Sequence, residues 1–203
     1  DLFFIGPWND MPDLAIDINE KFHKYTGNNP CMTLSATICM AESGGHISTL
    51  AEYCENKLEK VKKEVDVIIS PQEKGRKGRN AIYFLGKIMT WEDFKEQIAR
   101  GKEFVSVSRN VGNGILRRLV TYSNMYQNYL RNKNVDDLMF LPLFSNDMMR
   151  NYNTFRKDIK FQTLCNNLYK DVSNYQRVDK QFYYIEFCAR YALYCTMEER
   201  KNG

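Results

Sequence analysis

The sequence predicts an α+β chain in two parts. A strand–helix–strand–helix–strand series over residues 1–90 forms the back end of a partial ferredoxin-like fold, and an all-α helical bundle follows over residues 91–203. Three observations predict it. Residues 32–40 alternate apolar and polar side chains at the period of a strand, residues 12–25 and 47–63 carry apolar residues at helical spacing, and beyond Thr90 the strand signals give way to long helical stripes. Of the 203 residues 43% are hydrophobic and 27% charged, which fits a globular protein and excludes collagen-like, low-complexity and disordered classes. No apolar run approaches the roughly 18 residues of a membrane span, and the first residues do not read as a basic-then-apolar leader.

The elements follow in order. Leu2 to Ile5 is a short apolar run bounded by Gly6-Pro7, which predicts a buried strand. Because the chain opens directly on that strand, it is expected to be the C-terminal piece of a longer protein, with the first strand, first helix and second strand of the fold upstream of Asp1. Pro12 to Tyr25 sets Leu14, Ile18, Phe22 and Tyr25 on one helical face, with Pro12 in the first turn where its missing N–H does no harm, and Gly27-Asn28-Asn29-Pro30 ends the helix. Next, Met32, Leu34, Ala36, Ile38 and Met40 fall on one side of a strand, and Thr33, Ser35, Thr37 and Cys39 on the other. A second helix is expected from Ile47 to Lys63, burying Leu50, Cys54, Leu58 and Val61. Ala81 to Leu85 then forms the last strand of a sheet read as antiparallel, with two helices on one face.

From Thr90-Trp91-Glu92-Asp93, an N-cap with an acidic first turn, only helices are expected. Further ones are predicted at about 113–132, 145–151, 158–173 and 179–199. One stripe runs through Ile115, Leu116, Leu119, Tyr122, Tyr126, Tyr129 and Leu130, another through Phe182, Ile185, Ala189, Ala192 and Leu193.

Charge is uneven. Residues 1–90 carry 11 basic and 12 acidic residues, whereas residues 91–203 carry 18 and 13, so the second part is the one expected to face a polyanion if either does. The six cysteines lack any Cys-x-x-Cys pair and sit in or beside predicted elements, as buried reduced thiols of a cytosolic (cytoplasmic) protein do. His23 and His46 stand apart from any motif, which leaves metal-hydrolase and Ser-His-Asp chemistry without parts.

Two features bear on chemistry. Asp1 precedes an apolar strand, where palm polymerases and cyclases place a metal-binding carboxylate at a hairpin turn; a turn residue is the plainer alternative. Lys74-Gly75-Arg76-Lys77-Gly78-Arg79-Asn80 is dense in glycine and cations, a combination that lets backbone N–H groups and guanidiniums approach phosphate, though a solvated turn has the same composition.

Taken together, these residues resemble a known family. Asp1-Leu2-Phe3-Phe4-Ile5-Gly6-Pro7-Trp8 is similar to the stretch that ends the Gly-Gly-Asp-Asp motif of the large subunit of type III CRISPR effector complexes. The resemblance continues through Tyr25-Thr26-Gly27-Asn28-Asn29-Pro30, Leu34-Ser35-Ala36, Leu50-Ala51-Glu52, Gly78-Arg79-Asn80-Ala81-Ile82, Phe84-Leu85-Gly86-Lys87 and Thr90-Trp91. It covers residues 1–100 closely, is carried afterwards by helical pattern, and looks most like the Csm (type III-A) version. At lower resolution the same core is similar to bacterial diguanylate cyclases, which share a Ser near Ser35 and the Gly-Arg-Asn step.

The resemblance implies a palm of the GGDEF/polymerase-cyclase type that converts ATP into cyclic oligoadenylate messengers when target RNA pairs with the guide, using Mg²⁺ or Mn²⁺. It implies Asp1 as a catalytic metal ligand, and Ser35, Lys62 and Arg79 as nucleotide contacts. The helical tail is expected to dock partner subunits of the effector complex, the small subunit and the subunit binding the guide end, near the guide and target RNA. The sequence departs from the pattern in having Ser35-Ala36-Thr37 for Ser-Ala-Gly and 15 residues between Lys62 and Gly78. A non-catalytic scaffold and a diguanylate-type signalling cyclase are the alternatives.

Overall fold

A computed structural model describes residues 2–41, 44–64, 80–173 and 178–202. The chain forms two compact units, Asp1–Glu96 and Gln97–Gly203.

In the first unit, helix α1 (Met11–Tyr25) begins with Pro12 inside its first turn. Strand β1 (Ala36–Thr37) leads into helix α2 (Ile47–Glu64), and strands β2 (Ala81–Phe84) and β3 (Lys87–Thr90) complete a three-stranded sheet with β2 in the centre. β1 pairs with β2 in parallel, Ala36 opposite Ile82 and Thr37 opposite Tyr83, and Ile38 N–H extends the pairing to Tyr83 C=O at 2.8 Å. β2 and β3 are antiparallel, from Ala81 opposite Thr90 to Phe84 opposite Lys87.

The α+β character holds, and three expectations change. The sheet is mixed rather than antiparallel, because α2 serves as the crossover that a parallel pair requires. Leu2 to Ile5 is not a strand: all four residues are exposed, Leu2 at 78%, since no strand among the described residues supplies the ladder that so short a run needs. The alternating stretch 32–40 pairs only at its middle, for the same reason.

The third change is β3, which the sequence did not announce. The link Leu85-Gly86 has φ of 48° and 82°, positive at both central positions as a two-residue type I′ hairpin requires. Val61 of α2, Ala81 and Ile88 form a buried cluster with Tyr83 packed on it. On the other face Ile82, Phe84 and Met89 are buried, and the Phe84 ring meets Phe94 edge-on with centroids 6.2 Å apart.

Helix α3 (Trp91–Val111) starts where expected: Thr90 Oγ1 accepts the Asp93 N–H at 3.1 Å, an N-cap bond to the third helical residue. The second unit continues with α4 (Gly114–Asn132), a 3-10 turn at Val135–Met139, α5 (Phe140–Thr154), α6 (Ile159–Ser173) and α7 (Val178–Asn202). α5 begins five residues earlier than predicted, with Pro142 in its first turn, so that Phe140, Phe144 and Met148 all face the core.

Both predicted stripes form that core, with Leu116, Leu119, Phe182, Ile185, Ala189 and Ala192 fully buried. Tyr126, Phe140 and Phe182 make a three-ring cluster with centroids 5.0–5.3 Å apart, joining α4, α5 and α7. Tyr129 and Leu130, at the C-terminal end of the α4 stripe, are only partly buried. Asp147 on α5 accepts from the Tyr122 hydroxyl and from Arg118 of α4, and Arg150 joins it at 2.8 Å.

Candidate nucleotide site

Asp1 and Arg79 lie outside the described residues, as does the basic loop from Lys74 as far as Arg79. The structure therefore bears on Ser35, Lys62 and the Asn80 that follows Arg79.

Ser35 precedes β1 and is half-buried. Its Oγ accepts the backbone N–H of Asn80 at 3.2 Å, a bond across 45 positions that ties the entry to β1 to the entry to β2. Asn80 has φ of 64°, the left-handed region, which Asn adopts more readily than other non-glycine residues. Its side-chain Oδ1 is buried and accepts no hydrogen bond among the described residues. Beside Ser35, the Leu34 carbonyl accepts from the indole N–H of Trp91 at 3.0 Å, so the chain around Ser35 is held on two sides.

The rest of the polar side of this stretch is covered by α2. Thr37 Oγ1 lies 3.9 Å from Cys39 Sγ. Burial, together with the neighbouring Cys54 thiol of α2, pushes the Cys39 thiol up to about 12. Lys57 of α2 sits over the Tyr53 ring at 4.9 Å and the Tyr83 ring at 5.6 Å. Burial and the adjacent Tyr53 hydroxyl push Tyr83 up to about 12. At neutral pH the thiol and phenol are thus uncharged. Nothing in the spacing of Tyr53, Lys57 and Tyr83 marked them as neighbours; the signal was the pairing of β1 with β2, which the alternation alone does not specify.

Lys62 lies on the exposed side of the last turn of α2, its ammonium 2.9 Å from Glu59 Oε1, and that contact holds the Glu59 carboxyl below the usual range. A solvent-exposed pair of this kind is weak enough to exchange for a phosphate. Among the described residues no group of three or more His, Cys, Asp and Glu side chains comes together to hold a metal ion. All six cysteines are free thiols.

The stretch that carries α1, β1 and α2, with Ser35 and Lys62 in it, has a counterpart in a known family. Residues 1–68 match the second palm domain of Cas10/Cmr2. The match supports the large subunit of a type III CRISPR effector complex and leaves the subtype undistinguished. Cas10 palms belong to the nucleotidyltransferase and cyclase superfamily. It covers 68 of the 203 residues, so β2, β3, Arg79 and the helical unit lie beyond it. No curated protein and no solved structure matches the chain. Among the described residues no helix is long and apolar enough to cross a membrane.

Proposed function

We propose that this chain is the end of the second, cyclase-type palm and the C-terminal helical domain of a Csm (type III-A) effector large subunit that makes cyclic oligoadenylates from ATP. The observation that carries the proposal is the match of residues 1–68 to the Cas10/Cmr2 second palm. The motif residues from Asp1 to Trp8 and the Gly78-Arg79-Asn80 step add to it. In this reading the palm is of the ferredoxin-like type.

Asp1, as the last residue of the Gly-Gly-Asp-Asp turn, would hold Mg²⁺ or Mn²⁺. Bound there, the metal would supply positive charge for the attacking hydroxyl and the leaving pyrophosphate. Ser35, Lys62 and Arg79 make up the nucleotide-binding set. Among the described residues Lys62 has a surface ion pair to give up, and the Ser35–Asn80 bond brings the entry to β1 to within one residue of Arg79 in sequence. The helical unit docks the small subunit and the subunit at the guide end, with the guide and target RNA nearby, and the complex works in the cytoplasm.

The test is Asp1→Ala in the full-length protein assembled with guide RNA and partner subunits. Loss of cyclic adenylate formation with assembly intact is expected. Retained synthesis would remove Asp1 from the metal site, and an intact wild-type complex that makes no adenylate at all would favour a non-catalytic scaffold.

A further inference from the structure

On the side of the sheet that α2 covers, the helix and the strands meet residue by residue. Val61, near the end of α2, clusters with Ala81 at the start of β2. One turn earlier Lys57 lies over the Tyr83 ring, its ammonium 5.6 Å from the centroid. α2 therefore runs against β2, and equally against β1, which is parallel to β2 with Thr37 opposite Tyr83. One turn earlier again, on the same half-buried stripe of α2, stands Cys54. The next side chain after Thr37 on the covered side of the β1 stretch is Cys39, whose Sγ lies 3.9 Å from Thr37 Oγ1.

The two steps are similar in length. Three helical residues from Lys57 to Cys54 rise roughly 4.5 Å, and two extended residues from Thr37 to Cys39 roughly 6.6 Å. Cys39 thus faces the helix at the level where Cys54 faces the strand. Burial and then the Cys54 thiol are the causes that push the Cys39 thiol up to about 12, which agrees with that placement. Both residues are half-buried, so each keeps a path to solvent, and both are free thiols. A disulfide needs two cysteines whose Cβ atoms point toward one another across a short gap, and a helix face laid on a strand brings them so.

We propose that Cys39 and Cys54 are a modification site, which a low-molecular-weight disulfide oxidises reversibly to a disulfide tying the exit of β1 to α2. The thiolate of one cysteine attacks a sulfur of the oxidant and expels one small thiol, leaving a mixed disulfide. The thiolate of the other attacks the protein sulfur of that mixed disulfide and expels the second small thiol. Two electrons pass from the pair to the oxidant, and the two thiol protons end on the two small thiols released. In a reducing compartment the pair remains the dithiol seen here, and the bond forms as the surroundings become richer in disulfide. The link restrains a strand that pairs over only Ala36–Thr37. It closes whether or not the palm consumes ATP.

The test equilibrates the folded full-length protein in mixtures of reduced and oxidised glutathione, quenches in acid, alkylates the remaining thiols and reads the peptides by mass. Within residues 1–203 the expected result is one predominant link, Cys39 to Cys54, seen as a joined peptide pair lighter by two hydrogens than its reduced parts and reversed by excess reduced glutathione. Cys39→Ser is expected to abolish the pair and leave Cys54 as a mixed disulfide with glutathione, and Cys54→Ser to do the converse. In urea the preference should pass to the cysteines nearest in sequence, Cys31 with Cys39 and Cys188 with Cys195, because loop closure then decides.

Two alkylated thiols at every glutathione ratio, mixed disulfides alone, a link from either residue to a third cysteine, or the same Cys39–Cys54 preference in urea would overturn the inference. Each would mean that the fold does not bring these two sulfurs together. The wild-type peptides decide the matter even where a serine variant fails to fold. Hydrogen exchange at the Ile38 amide, which donates to the Tyr83 carbonyl at 2.8 Å, should slow severalfold once the link forms. An unchanged rate would overturn the restraint on β1.

Discussion

Asp1, Ser35, Lys62 and Arg79 enter the proposed site by different routes. Asp1 and Arg79 stand out only through the resemblance of their motifs, because a carboxylate before a strand and an arginine in a glycine-rich loop are common in turns of any kind. Removing the Arg79 guanidinium is expected to weaken ATP use by about 1.5–3 kcal/mol, the worth of a charge-assisted hydrogen bond, which is roughly a 10- to 100-fold rise in KM. An unchanged KM would return the basic loop to the status of a solvated turn. Ser35 was legible as polar, though it lies just before β1 rather than within the strand the alternation predicts. Its partner was not, since nothing in a sequence of alternating residues tells which amide 45 positions away a hydroxyl will meet.

Asp158 makes a second case at this scale. Its Oδ1 accepts the Phe161 N–H at 2.9 Å, capping α6, and its Oδ2 accepts from Asn110. These bonds hold its carboxyl below the ordinary 3.8. A depressed folded-state value means that the stabilisation is present above 3.8 and is lost as pH falls through the lowered value. Asp158→Ala is accordingly expected to cost about 1 kcal/mol at neutral pH. Urea midpoints of wild type and variant should differ at pH 7 and converge in acid, whereas a gap independent of pH would assign the loss to packing.

Among the elements, the helices were the legible part. α3, α4, α6 and α7 lie within a few residues of their predicted places because their apolar stripes recur at helical period and Thr90 offers a cap for α3. The strands were less so. β1 shrinks to Ala36–Thr37, since alternation states which side chains share a face and says nothing of a partner strand. β3 was missed because its turn is Leu85-Gly86, lacking the Asn or Asp that usually announces a type I′ hairpin.

Packing of α3 on α7 in the second unit turns on Gly101, where a Cβ would lie 2.7 Å from Tyr191 Cδ1 and 3.3 Å from its Cγ. Gly101→Ala sets a helix-propensity gain of about 1 kcal/mol against about 1–3 kcal/mol of overpacking, because the Tyr191 ring is buried and cannot swing away. The expected outcome in a urea titration is net destabilisation by about 1 kcal/mol. A stabilised variant would mean that the two helices separate freely enough to admit a methyl group.

At the scale of the whole molecule, the sequence foresaw an α+β chain, and the structure is mostly helical with a small three-stranded mixed sheet. The family match reaches residue 68, and thus includes the residues that carry α1, β1 and all of α2. What a helical unit docks against is a property of its surface, and the stripes that predicted its helices concern only the buried side. The central claim, that this is the end of an ATP-consuming palm, belongs to the assembled protein. Its most direct test uses the full-length wild-type protein in complex with guide RNA and partner subunits, incubated with ATP and Mg²⁺ with and without target RNA, the products resolved by mass. Cyclic oligoadenylates that appear only with target, and vanish in Asp1→Ala, are the predicted result; a complex that binds target and leaves ATP unchanged would contradict it.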